Sequence, residues 1–320
     1  MGSPTRPALG APRLLQIFAV LVTPENEKSD EPAVPLAVAR ISVLGAGTMG
    51  HGIAQVAAMS GYEVILCDIS EEVTGRALRA IDANLSKGVE RGKVTEEERE
   101  RTLANIRATT DMGETAPSDL FVEAVPERME LNREALREVE RVAAGDFVFA
   151  TNTSSLSITE IARGARRPDR VVGMHFFNPV HIMRLLEVVV GRETSAETAE
   201  TGRAVGRRMR KEPITVRDVP GFASSRLGVA LGLEAMRMVE QGVASAKDID
   251  TAMELGYNHP MGPLKLTDLV GLDVRLQIAE YLYGEFGAEG FRPPDILRRM
   301  VGEGKLGKKS GEGFYKWSER

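Results

Sequence analysis

A single cysteine, Cys67, in 320 residues leaves no internal disulfide framework and no cysteine-rich zinc site. Such usage fits a reducing compartment. Aromatic residues are scarce at 5%, which argues against stacking of successive bases. No positive excess exists either: 41 lysines and arginines stand against 46 aspartates and glutamates, for a net charge of -5. This removes any global pull toward nucleic acid and leaves room for a local basic patch facing an anionic ligand. The apolar run at 14–22 is far too short to span a bilayer. What is present is 42% hydrophobic and 27% charged, ordinary for a globular chain, and the length predicts two domains.

Residues 1–37 read as a leader outside the fold. The run at 14–22 follows Arg6 and Arg13 and lacks acidic neighbours before Glu25. Three readings stand: a cleavable targeting peptide, a disordered leader, or a start placed too far upstream. From Arg40 the texture alternates. Strands are predicted at 41–44, 63–67, 120–125, 147–151, 170–175 and 185–190. Helices are predicted at 48–60, 71–87, 95–105, 131–143 and 196–209. Alternation of this kind builds parallel βαβ units and an α/β sheet covered on both faces. Past Pro220-Gly221-Phe222 everything reads as helix, beginning with 223–241, which is apolar around much of its circumference. The expected division is a leader at 1–37, a Rossmann-like domain at 38–218 and an all-helical domain at 219–320.

Gly45-Ala46-Gly47-Thr48-Met49-Gly50 is G-x-G-x-x-G, between a predicted strand and a predicted helix. Asp68 closes the next strand about twenty residues on, which completes a dinucleotide-binding fingerprint. Gly45 makes the tight turn, Gly47 lets the backbone approach a pyrophosphate, and Gly50 allows helix to pack on strand. The helix N-terminus offers free N–H groups to the phosphates. Asp68 would bind ribose hydroxyls and repel a 2′-phosphate, and Ile69 and Ser70 supply no arginine for one. NAD is therefore the expected cofactor rather than NADP.

His175-Phe176-Phe177-Asn178-Pro179 ends one predicted strand and Glu187 lies in the next. Paired as an antiparallel hairpin centred near His181, these strands set 175 opposite 187, with Cβ atoms about 5 Å apart. A carboxylate there can accept Nδ1–H and leave Nε2 for a substrate proton, as NAD-linked oxidation of a secondary alcohol requires. A buried histidine satisfied by any nearby acceptor is the competing reading. His51, His181 and His259 are assigned no chemistry.

Together with Asn152-Thr153-Ser154-Ser155-Leu156, these motifs make the chain resemble the 3-hydroxyacyl-CoA dehydrogenases, most nearly the short, stand-alone 3-hydroxybutyryl-CoA type. Val122-Glu123-Ala124-Val125-Pro126-Glu127, the stretch at 258–264 and Gly307 to Tyr315 match as well, so the likeness runs from about Ile41 to the C-terminus. The resemblance implies NAD-linked interconversion of (S)-3-hydroxyacyl-CoA and 3-ketoacyl-CoA. His175 would be the general acid/base, Glu187 its partner, and Ser154 a donor to the substrate oxygen. Cofactor contacts would fall on the glycine loop from Gly45 to Gly50, Asp68, Glu127, Ser154, Asn178 and Lys309. It further implies a homodimer through the helical domain and a place in fatty acid metabolism, in β-oxidation or butanoate metabolism. The location would be the cytoplasm, or the mitochondrial matrix if the leader is a transit peptide; neither nucleic acid nor membrane is an expected partner.

Three positions depart from the family pattern. Ser225 stands where an asparagine usually helps polarise the substrate carbonyl, and loss of such a donor costs about 2–4 kcal/mol if nothing replaces it. Asn132 replaces a lysine that contacts cofactor. Arg91 replaces a lysine near the CoA phosphates and keeps its charge, with Lys93 close by. Two competitors share the frame: a dehydrogenase of a free hydroxy acid or sugar acid, and a catalytically weak NAD-binding protein.

Overall fold

The structure, a computed structural model, describes residues 33–317, and from Val34 on the chain packs as a single body. Its sheet contains β1 (Arg40–Leu44), β2 (Glu63–Cys67), β3 (Ile106–Thr109), β4 (Leu120–Glu123), β5 (Val148–Thr151), β6 (Val171–Phe176), β7 (Leu185–Val190) and β8 (Glu212–Arg217). The spatial order is β3-β2-β1-β4-β5-β6-β7-β8. Every neighbouring pair is parallel except β6 and β7, which run antiparallel. The central strands are buried on both faces, as their Val, Ile, Leu and Phe runs require.

Six helices cover the sheet: α1 (Thr48–Met59), α2 (Glu71–Glu90), α3 (Glu96–Ala104), α4 (Met129–Val142), α5 (Ile158–Ala162) and α6 (Ala196–Arg208). The charge-rich α3 begins at a full capping box, in which Thr95 and Glu98 satisfy each other's backbone N–H groups. Two apolar clusters result. One holds Ile53, Leu66, Ile81, Leu120 and Met174, and the other Phe121, Phe149, Ile158 and Ile161. Complete burial of such side chains contributes about 1.5–3 kcal/mol each.

Beyond β8 come α7 (Ser224–Glu240), α8 (Ala246–Gly256), α9 (Pro263–Val270), α10 (Leu272–Phe286) and α11 (Asp295–Gly302), around a separate core of Val229, Leu233, Met236, Leu264, Leu282 and Leu297. The α/β region followed by a helical region is the expected architecture. No helix among the described residues is long and apolar enough to cross a membrane.

Several expectations need correction. The leader does not extend to residue 37: Leu36 donates its N–H to Thr201 Oγ1 at 2.9 Å, and Leu36 and Val38 pack against the core. The remainder of the leader, including the run at 14–22, lies outside the described residues. Strands β3 and β8 and helix α5 were not expected. The final segment is not helix: it ends in a 3₁₀ turn and isolated bridges joining Gly307, Glu312 and Lys316.

Candidate active site

Strand order reverses about β1, which has β2 on one side and β4 on the other, and crevices for ligands form at the strand ends beside such a point. The glycine loop leaves β1 there. Gly45 adopts φ +95, and a Cβ on it would lie 2.6 Å from the Ala124 carbonyl oxygen. A Cβ on Gly50 would lie 1.7 Å from the Gly45 carbonyl oxygen, whereas nothing stands within 4 Å of one on Gly47. Two glycines thus fold the loop and the third leaves it open outward. Asp68 accepts the Ala46 N–H at 2.7 Å, so one carboxylate oxygen fixes the loop and the other is available to a ligand.

The loop, Asp68 and the start of α4 line a cavity of about 870 Å³. Its size, open Gly47 and carboxylate at the far rim fit a dinucleotide with free ribose hydroxyls. Among the expected cofactor contacts, Gly45, Gly47, Thr48, Met49 and Asp68 lie on this cavity. Glu127, Ser154 and Asn178 line an adjoining one of about 270 Å³, together with Met49 and His175. Lys309 lines neither; its ammonium is paired with Asp273 at 2.6 Å.

The second cavity contains the two residues expected to form an acid–base pair. In the β6–β7 ladder His175 stands opposite Glu187, and Nδ1 lies 2.7 Å from Glu187 Oε2. Glu187 is fully buried and His175 is 6% exposed. The same carboxylate accepts the Ser224 hydroxyl at 2.9 Å and the Ser224 N–H at 2.8 Å from the start of α7. Burial acts against its charge, yet the bonds from His175 and Ser224 outweigh it and hold the carboxyl below the usual range. Phe177 and Phe222 flank the imidazole, with ring centroids 4.4 and 5.9 Å away. A histidine oriented in this way through Nδ1 has Nε2 left to exchange a proton with a ligand.

Glu127 organises the loop after β5. Its Oε1 accepts the Thr153 hydroxyl at 2.6 Å and the N–H groups of Ser154 and Ser155 at 3.0 Å, which places Ser154 at the cavity wall. Asn152 Oδ1 holds the Phe176 N–H at 2.9 Å and so fixes the end of β6 beside His175. Ser225 lies in the first turn of α7, next to the serine that grips Glu187. Arg91 caps the end of α2 and Lys93 lines a third cavity of about 170 Å³ with His181, Arg184 and Arg210.

Sequence reading missed two supports. Lys211 is buried and donates to the carbonyls of Val180 and, at 2.8 Å, Met183, which ties down the β6–β7 connection. Glu123, Asn132 and Thr151 form a buried hydrogen-bonded group beneath the second cavity. Glu123 was visible as part of the matching motif, but three polar residues from two strands and a helix share no sequence spacing that reveals their meeting.

The chain is similar to proteins of known family. The sequence profile described as 3-hydroxyacyl-CoA dehydrogenase, NAD binding domain, matches residues 40–219, and that of the C-terminal domain matches residues 221–317. A probable 3-hydroxybutyryl-CoA dehydrogenase of Deinococcus radiodurans is 43% identical over 87% of this chain and 100% of its own length. The human mitochondrial hydroxyacyl-coenzyme A dehydrogenase is 42% identical over 89% of this chain and 93% of its own. The crystal structure of an (S)-3-hydroxybutyryl-CoA dehydrogenase from Ralstonia eutropha superposes with a TM-score of 0.86 at 38% identity, over 88% of this chain and all of that one. With both domains matched in order across nearly the whole described chain, this protein belongs to the 3-hydroxyacyl-CoA dehydrogenase family and is an NAD-dependent oxidoreductase.

Proposed function

We propose that the chain interconverts 3-hydroxybutyryl-CoA and acetoacetyl-CoA, with His175 as the general acid/base. The observation that carries this is the buried His175–Glu187 pair on a cavity that adjoins the dinucleotide cavity. In the oxidative direction Nε2 takes the hydroxyl proton. Glu187 keeps Nδ1 protonated and stabilises the imidazolium that forms. Bound NAD supplies the hydride acceptor. Ser154 donates to the substrate oxygen, assisted by Ser225 from the first turn of α7. The aromatic flanks exclude water from the proton transfer.

For the CoA phosphates the reading relies on Arg91 and Lys93, supported by Arg184 and Arg210 around the third cavity. It also pairs two copies through the helical region. Leu227 and Leu231 on α7, Leu266 and Leu269 on α9 and Val274 on α10 are all at least 36% exposed, an apolar expanse that calls for a covering surface.

NADH consumption with acetoacetyl-CoA tests the activity, and His175→Ala abolishes it in folded protein. Free CoA competes with substrate on this reading; failure to compete would transfer the assignment to a free hydroxy acid. Light scattering gives the mass of a dimer, and Leu227→Glu with Leu231→Glu reduces it to that of a monomer.

A further inference from the structure

Glu123 is the last residue of β4, is 1% exposed, and lines the same cavity as His175. Its two carboxylate oxygens have different company. Oε1 accepts the Val125 backbone N–H at 2.7 Å, a partner that can only donate. Oε2 receives the Thr151 hydroxyl at 2.7 Å and the Asn132 side-chain amide. Both of those partners are reversible: a hydroxyl rotates to accept, and an amide turns to present its oxygen. Asn132 Oδ1 is itself buried and has no partner among the described residues. No arginine or lysine bonds to the Glu123 carboxyl among the described residues. The site therefore offers donors to the anion and, after reorientation of Thr151 or Asn132, an acceptor for a proton on Oε2.

We propose that Glu123 is a specificity-determining residue for the oxidation state of the cofactor, in which the proton on Oε2 sets the relative affinity for NAD⁺ and NADH. The inference rests on His175 marking the reacting end of the cavity, because the nicotinamide must then lie within reach of both side chains. The oxidised ring carries a positive charge and the reduced ring does not. An ionised Glu123 favours the former and is indifferent to the latter. Association of NAD⁺ with the protonated form releases the Oε2 proton to solvent, and association of NADH leaves it in place. Burial pushes the Glu123 carboxyl up to about 7; the bonds from Thr151, Val125 and Asn132 offset part of that, and the nearby Glu127 carboxylate adds to it. The exchange accordingly falls in the neutral range. Glu127, from the loop after β4, and His175, from β6, are the other titratable groups on the cavity.

The test is binding without acyl substrate. Affinities for NADH, by its fluorescence, and for NAD⁺, by competition, are measured between about pH 6 and pH 8. NAD⁺ affinity is expected to rise by up to about tenfold across that window while NADH affinity stays level. Calorimetry in buffers of different ionisation enthalpy should show proton release with NAD⁺ alone. In Glu123→Gln the pH dependence of the affinity ratio disappears. In Asn132→Lys, whose ammonium holds the carboxylate ionised, it moves below the window, which decides the matter should Glu123→Gln fail to fold. In His175→Gln it persists. A ratio level with pH in the unaltered protein, dependence surviving in Glu123→Gln, or dependence lost in His175→Gln would each overturn the proposal. Loss of turnover with acyl-CoA bears only on the catalytic reading, so the two failures are distinguishable.

Discussion

Glu187 binds Ser224 twice, through the serine N–H at 2.8 Å and its hydroxyl at 2.9 Å, so the carboxylate that orients His175 also anchors the first turn of the helical region. The orientation of His175 and the junction of the two regions depend on one buried side chain. Its replacement should disturb both.

Glu187→Gln lowers kcat by about 10²–10⁴, comparable to loss of the base in His175→Gln. It should also change the pH dependence of stability. The folded protein holds this carboxyl below its unfolded value, so its stabilisation is present above the ordinary carboxylate range. That contribution is lost as pH falls through the depressed folded value. The difference in Tm between the unaltered protein and Glu187→Gln should be full at neutral pH and shrink in acid. A constant difference would disprove the linkage.

Gly47→Ala and Gly50→Ala should separate binding from folding. The space around a Cβ at 47 is open, so Gly47→Ala keeps its stability to within about 1 kcal/mol and weakens NAD binding at least tenfold. Gly50→Ala drives a methyl into the Gly45 carbonyl and should destabilise the whole protein. Thermal melts with and without NAD distinguish the two.

Asp268 gathers the end of the chain. It is buried and accepts the N–H groups of Phe314 and Tyr315 at 2.9 Å and the indole N–H of Trp317 at 2.8 Å. Asp268→Ala leaves these donors without their acceptor, at a cost of about 1–3 kcal/mol each where burial persists. Trp317 is the single tryptophan, so its emission should shift to the red in the variant. Unchanged emission would mean that the segment holds without Asp268.

Ser225→Asn restores the longer donor that the family pattern has at this position. Activity should stay intact or rise, read as kcat/KM with acetoacetyl-CoA. A loss beyond tenfold would show that the serine has a role of its own.

Much of this was legible along the chain. The six central strands announced themselves because burial on both faces demands continuous β-branched and aromatic runs. The hairpin register that sets His175 against Glu187 follows from counting, since residues equidistant from a turn face each other. The two strands that escaped notice, β3 and β8, are the outermost in the sheet. With one neighbour each and much of their surface exposed, they carry weak apolar patterns, and β8 contains Pro213. Helix α5 is five residues long, too short for a helical period to register.

Scarcity of cysteine, aromatics and positive charge excluded whole classes of function, and the glycine loop with Asp68 identified the cofactor, because those properties are local or additive along the chain. The sequence by itself also determined the order of the two regions. Only the tertiary structure decided which polar groups are left without water. Glu187 is depressed by what His175 and the first turn of α7 bring to it, while Glu123, on the same sheet, is raised by what the fold withholds. Burial and partner geometry are properties of neighbours distant in sequence, and they set the charge of each carboxylate.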